Sequence, residues 1–279
     1  MLAAALILMS TPQDIPQYAG YKLVWNDEYS ADGAPDPKNW GYEHGFVRNK
    51  EAQWYQPQNA SVQNGRLVIE ARKERVKNPN YVANDENWMK NREYAEYTSA
   101  CVTTQGKHSW LYGRWEMKGK IDIRLGLWPA WWTVGTARRW PACGEIDMME
   151  FYKGVLLANV AWAADDQWGS SWDDVKLPIG DVAKKAGYAS AEAWAAEDHV
   201  WRMDWDKDWI RLYMDGTLLN EIDLSKTINA SADRKNPMHE PHVMRINLAV
   251  GATGGDPSGT KFPARLEVDW VRVYQKAGD

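Results

Sequence analysis

Asn64-Gly65 and Asp215-Gly216 each interrupt a run of alternating apolar residues, the strongest short-range signal of a β-hairpin. A two-residue hairpin turn needs positive φ at its centre, a conformation that Asn, Asp and Gly accept at low cost. Alternating runs recur throughout the chain: Leu23-Val24-Trp25, Arg66 to Ala71, Thr98 to Thr103, Gly113 to Ile123, Leu156 to Trp162, His199 to Trp205, Trp209 to Met214, His242 to Val250 and Ala264 to Tyr274. No βα unit repeats between them, so the predicted class is all-β, a two-sheet sandwich or jelly roll. Ile179 to Glu197 is Ala-rich and lacks β-branched runs, which predicts a short surface helix. Lys73 to Arg92, rich in Asn, Lys and Glu, predicts a long loop that walls a cleft.

One strand carries the chemistry. Gly144-Glu145-Ile146-Asp147-Met148-Met149-Glu150 sets three acids in an otherwise apolar run. Burying an ionised carboxylate is costly unless it is paired. Strand side chains alternate, so Glu145 and Asp147 share a face and strict alternation turns Glu150 away. A β-bulge at Met148-Met149 shifts the phase by one residue and brings all three acids to one face. Two glutamates with an acid between them suit glycosidic bond cleavage, and retaining enzymes hold their two carboxyl groups roughly 5–5.5 Å apart. The backbone from Glu145 to Glu150 spans on the order of 13 Å, a gap that a concave sheet and inward-leaning side chains narrow. In isolation the same string also fits an exposed acidic strand or a calcium-binding edge.

The aromatic setting favours the catalytic reading. The chain has 18 Trp against 3 Phe. A core is served equally well by Phe, whereas the flat indole with its N–H handle suits stacking on the C–H faces of sugars. Trp128, Trp131, Trp132 and Trp140 precede the acid strand, and Trp162, Trp168 and Trp172 follow it. Trp128, Trp140 and Trp162 are expected to line a sugar cleft. Trp131 or Trp132 is expected to be buried, with Trp132 also kept among the substrate-binding candidates.

At 279 residues the length suits one large β domain, with residues 18–279 as the catalytic domain and residues 1–17 as a tail. The apolar Met1 to Ser10 followed by Thr-Pro-Gln resembles a secretory signal without its basic start, which predicts a secreted or periplasmic protein. A net charge of -5 argues against nucleic acid and anionic membrane surfaces as partners, and no run is long enough to span a bilayer. Cys101 and Cys143 are read as two buried thiols in preference to a disulfide, and the five His show no zinc-type clustering. A monomer without a catalytic cofactor is expected.

The chain resembles glycoside hydrolase family 16, most closely its laminarinase-like, endo-β-1,3-glucanase branch. The likeness runs from about Tyr21 to Gln275 and is carried by Leu23-Val24-Trp25-Asn26-Asp27-Glu28-Tyr29, Gln58-Asn59-Ala60 to Glu70-Ala71-Arg72 and Tyr112-Gly113-Arg114-Trp115-Glu116. It continues through Leu127-Trp128-Pro129-Ala130-Trp131-Trp132, Trp140-Pro141 to Glu150, and Glu267-Val268-Asp269-Trp270-Val271-Arg272-Val273-Tyr274. The resemblance implies a concanavalin A-like jelly roll with a concave cleft, Glu145 as nucleophile, Asp147 as its helper and Glu150 as acid/base. It implies that Asn49, within Arg48-Asn49-Lys50-Glu51, binds sugar beside the cleavage point, and that Trp128 and Trp140 lie in the cleft. It also implies a structural calcium on the convex side, held by Asp269 and by backbone oxygens near Glu28 and Gly65.

One departure bears on substrate. Many laminarinases carry His-Trp on the strand after the acids, where this chain has Ala161-Trp162. Arg48 or Arg92 in the cleft would suit anionic galactans. The leading expectation is an endo-acting retaining glycosidase on a β-linked polysaccharide, β-1,3-glucan first. The alternatives are an endo-β-galactosidase on algal or mucin-type glycans, and a non-catalytic carbohydrate-binding protein.

Overall fold

The computed structural model describes residues 15–164, 169–230 and 234–276. The signal-like Met1 to Ser10 and Trp168 lie outside the described residues. Two large antiparallel sheets face each other. The outer sheet runs in the order Thr217–Asp223, Trp209–Met214, His199–Trp205, Gly113–Lys120, Ala264–Lys276, Arg66–Ala71, Ala60–Gln63, with Tyr21–Asp27 also paired to Ala264–Lys276. The groove sheet runs Ser170–Pro178, Val155–Ala163, Glu145–Tyr152, Leu127–Gly135, His242–Val250, Cys101–Thr103, Gly41–Tyr42.

Both hairpin signals form as read. Asn64 and Gly65 sit at φ 52° and 73° between Gln63 and its partner Arg66, and Asp215 and Gly216 sit at φ 48° and 76° between Met214 and Thr217. The expected strand over Thr98 to Thr103 is divided at Ala100. Tyr97–Ser99 pairs in parallel with Gln53–Tyr55, whereas Cys101–Thr103 joins the groove sheet. The single expected helix is two, Ile179–Lys185 and Ala191–Ala195, the second capped by the Ser190 side chain accepting from the Ala193 N–H at 3.2 Å. Ser170–Pro178 has no counterpart among the expected strands. It is an edge strand with Asp173, Asp174 and Lys176 in its middle, and charges of that kind protect an edge while erasing the apolar alternation.

Core packing explains most of the tryptophan excess. Trp40, Trp115, Trp131, Trp194 and Trp201 are fully buried between or beside the sheets, and Trp25, Trp110, Trp205 and Trp270 nearly so. Indole is here largely a core residue, contrary to the expectation that its abundance serves stacking on sugar. The described tryptophans that stand exposed are Trp140 and Trp172, at 45% and 42%. Cys101 and Cys143 are buried free thiols, as expected.

Candidate active site

The register of the groove sheet brings the three acids of one strand to a common face. Trp132 lies opposite Asp147 and Trp131 opposite Met149, so Met148 is the extra residue of a bulge. On the other side Asp147 pairs with Asn159 and Glu150 with Leu157, so Met148 and Met149 stand against Ala158 alone. Met148 and Met149 both enter the apolar core. Glu145, Asp147 and Glu150 consequently share one face and line one groove of about 1240 Å³, larger than a pocket for a single small molecule.

Pairing across the strands lays the groove floor in rows. Trp172, Ala161, Glu145, Val134 and Val243 form one row, and Asp174, Asn159, Asp147, Trp132 and Arg245 the next. Lys176, Leu157, Glu150, Ala130 and Asn247 form the third, and Trp128 follows beside Tyr152, the two rings edge to face at 5.8 Å.

Among the described residues, the three acids have no direct cationic partner of the kind that would hold them ionised. Burial pushes the Glu145 carboxyl up to about 7, opposed by the Arg48 charge, by hydrogen bonds from Trp140 and Asp147, and by Arg245. Burial also pushes Glu150 up to about 7; the Trp128 hydrogen bond opposes it, the Glu145 charge reinforces it, and Lys176 opposes it. Asp147 lies well above the usual carboxylate range through burial and the charges of Glu145 and Glu150. An Asp147 that keeps its proton donates it in a hydrogen bond to Glu145. Trp128 Nε1–H donates to Glu150 Oε1 at 2.7 Å and Asn159 Nδ2–H to Oε2 at 3.4 Å, so both oxygens of Glu150 are held. Two guanidiniums lie nearer Glu145 than Glu150 in electrostatic effect. The cationic field is therefore stronger at Glu145, while burial pushes both carboxyls up to about 7.

Those guanidiniums are themselves fixed. Arg48 and Arg245 both pair with Glu43 and lie over the Trp132 ring, 5.0 and 4.8 Å from its centroid. Burial would raise Glu43, but the two arginines outweigh it and hold that carboxyl below its ordinary value. Trp132 is both buried, as expected for Trp131 or Trp132, and part of the groove floor; its Nε1–H donates to Asn247 Oδ1 at 2.7 Å.

Arg48, Asn49 and Glu51 line the groove together. Asn49 adopts φ 56°, and its Nδ2–H donates to Glu51 Oε1 at 3.3 Å, while Gln53 donates to the other oxygen at 2.7 Å. Trp128 and Trp140 line the groove as expected.

Trp162 does not. Ala161 is paired with Glu145, so Ala161 faces the groove and Trp162, one residue on, packs against the inter-sheet core. The aromatic that faces the groove beyond Ala161 is Trp172. The 73–92 segment contributes no groove-lining residue among those described. Arg92 instead lies 3.5 Å from the Phe46 ring centroid and donates to the Glu51 carbonyl at 2.8 Å, outside the groove. Asn159, Arg245, Asn247 and Trp172 were not singled out as binding candidates. Asn159 had a signal, being the one amide in the apolar Leu156–Trp162 run.

The side chains at the expected calcium site are engaged by protein cations. Glu28 receives Arg272 Nε–H and Nη2–H at 2.8 Å each, and Asp269 receives Lys118 Nζ–H at 2.8 Å. Gly65 serves the hairpin turn. Lys118 thus already pairs with the one carboxylate of the expected set, and the described residues contain no group of three His, Cys, Asp or Glu able to hold a metal ion.

The chain is similar to known proteins over most of its length. The chain is 33% identical over 271 residues to a beta-glucanase of Rhodothermus marinus, covering 91% of this chain and 85% of that one. A solved structure from a study of endo-acting O-glycanases that initiate mucin breakdown in the human gut microbiota superposes with TM-score 0.79 at 32% identity, covering 95% and 94% of the two chains. The laminarinase catalytic domain of Thermotoga maritima superposes with TM-score 0.73 at 31% identity, covering 92% and 99%. The sequence model of glycosyl hydrolases family 16 matches residues 48–272, and the chain belongs to that family.

Proposed function

We propose that this protein is an endo-acting retaining glycoside hydrolase whose substrate is a β-linked polysaccharide, β-1,3-glucan before others. The observation that carries the reading is the bulge at Met148, which sets Glu145, Asp147 and Glu150 on the groove face together. In the first step the Glu145 carboxylate attacks the anomeric carbon while Glu150 gives its proton to the departing glycosidic oxygen. The C–O bond to the leaving sugar breaks and a glycosyl ester to Glu145 forms. In the second step Glu150, now ionised, takes a proton from water; the water oxygen attacks the same carbon and releases Glu145. Asp147 holds a proton between the two glutamates, which limits their mutual repulsion and steadies the Glu145 anion.

Glu145 as nucleophile, Glu150 as acid/base, and Arg48, Asn49, Glu51, Trp128, Trp132 and Trp140 as sugar contacts are part of this proposal. A polysaccharide substrate is met outside the cytoplasm, which supports a secreted or periplasmic location as part of this proposal. No described helix is long and apolar enough to cross a membrane.

A second reading, an endo-β-galactosidase on mucin-type glycans, is favoured by the superposition on an O-glycanase and by the methyl group of Ala161 beside Glu145. Release of reducing ends from laminarin, agarose and mucin O-glycans, with products sized by chromatography, tests both. The first reading expects a ladder of laminari-oligosaccharides. Activity confined to galactose-containing glycans would replace it with the second.

A further inference from the structure

Trp172 occupies a place in the groove that neither the three acids nor the expected sugar contacts explain. Each other groove tryptophan on a central strand is committed. Trp132 lies beneath Arg48 and Arg245, and Trp128 donates its N–H to Glu150 while its ring meets Tyr152. Trp172 is different. It stands on the edge strand Ser170–Pro178, faces the groove and is 42% exposed. Its Nε1–H already donates to Ser170 Oγ at 2.8 Å, two residues back on the same strand face, which satisfies the polar atom and fixes the ring. No described aromatic ring or cation packs on it. A large apolar face left uncovered in a groove, with its only polar group satisfied internally, is suited to the apolar C–H face of a sugar.

Its position in the register gives the distance from the chemistry. Glu145, Ala161 and Trp172 are paired in one row across three strands, which puts Trp172 about 10 Å from the acid strand at about 4.8 Å per strand. Ala161 between them carries only a methyl group and is itself buried, so among the described residues of that row no large side chain stands between Glu145 and the indole. Asp174 and Lys176 continue the same face of the edge strand and pair with each other, adding a polar rim beside the ring.

We infer that Trp172 is the platform of an outlying sugar subsite on the Ser170–Pro178 flank of the cleavage point, stacking a pyranose ring at least one unit beyond the sugars joined by the scissile bond. The inference rests on the proposed glycosidase reading. Its consequence is a dependence of turnover on chain length, because only an oligosaccharide that reaches across Ala161 contacts the ring.

The experiment uses laminari-oligosaccharides and galactose-containing oligosaccharides of two to six units. Binding is measured by calorimetry to Glu145→Gln and to the same variant carrying Trp172→Ala, and kcat/KM is measured for Trp172→Ala and Trp172→Phe in the otherwise unaltered enzyme. The expected result is that Trp172→Ala lowers the ratio of hexasaccharide to trisaccharide kcat/KM by about tenfold, the size of one aromatic stacking contact. Hexasaccharide affinity of the inactive protein falls in parallel, and Trp172→Phe recovers most of both. Equal loss at every length, no loss at any length, or failure of Glu145→Gln to bind either hexasaccharide would overturn the subsite. Failure of the glycosidase reading is seen separately, as unimpaired hydrolysis by Glu145→Gln.

Discussion

Glu28, Asp269, Asp204 and Asp198 of the outer sheet and the three acids of the groove sheet all lie among partly or fully buried neighbours, and the two sets are treated oppositely. On the outer sheet Glu28 is gripped by Arg272, Asp269 by Lys118, and Asp204 by Arg114 through paired contacts at 2.7 and 2.9 Å. The Arg66 hydrogen bonds hold the Asp198 carboxyl below its ordinary value despite burial. On the groove sheet the cations stop one position short. Arg48 and Arg245 commit to Glu43, leaving Glu145, Asp147 and Glu150 to each other and to neutral donors. An acid with its own guanidinium is a structural part; an acid denied one has a proton to exchange near neutral pH.

Breaking either half of this contrast has opposite consequences. The largest effect is on turnover. Glu150→Gln should lower kcat on polysaccharide by about 10²–10⁴-fold, the share of a general acid, while raising thermal stability at pH 8 by relieving an unpaired buried charge. A kinetic assay with parallel thermal melts checks both, and an active or a destabilised variant would break the comparison. Next comes the outer sheet. Arg272→Ala strips the buried partner of Glu28 and should cost about 3 kcal/mol in urea unfolding, with kcat of the folded fraction preserved.

A smaller effect is the pH dependence of stability. Glu145 and Glu150 rise from 4.5 to about 7 on folding, so between those values the native chain binds more protons than the unfolded chain. Their contribution is fully present below pH 4.5 and is lost as pH rises through 7. Asp198 is depressed, so its contribution is present above its unfolded value of 3.8 and is lost as pH falls through its lower folded value. The melting temperature should therefore decline from pH 5 to pH 8, and Glu150→Gln should flatten that slope. The smallest expected effect is none at all: calcium or a chelator should leave the melting temperature unchanged, because Lys118 already pairs with Asp269, the one carboxylate expected to ligate the ion.

Much of this was legible in the chain because it depends on local alternation. The Asn-Gly and Asp-Gly turns needed only their own φ angles, and three acids in an apolar strand required one extra residue to share a face. Trp162 shows how narrow that margin is. It lies one position from a groove-facing residue, and with period two a single position decides between cleft and core. Sequence alternation running back from Ala161 would have picked Asn159 and rejected Trp162. What stayed hidden depends on distant partners. Lys118 and Asp269 are separated by 151 positions, and only the adjacency of Gly113–Lys120 to Ala264–Lys276 brings them together. The Ser170–Pro178 edge was masked by its charges, and with it the groove-facing role of Trp172.

The most direct test of the unpaired triad is to trap the intermediate. A 2-deoxy-2-fluoro-β-laminaribioside with an activated leaving group, or its galactose-containing counterpart, is incubated with the enzyme, and the labelled peptide is sequenced by mass spectrometry. The account predicts a single glycosyl ester on Glu145, absent in Glu145→Gln. A label on Glu150, or an unlabelled enzyme that releases product of inverted anomeric configuration, would contradict it.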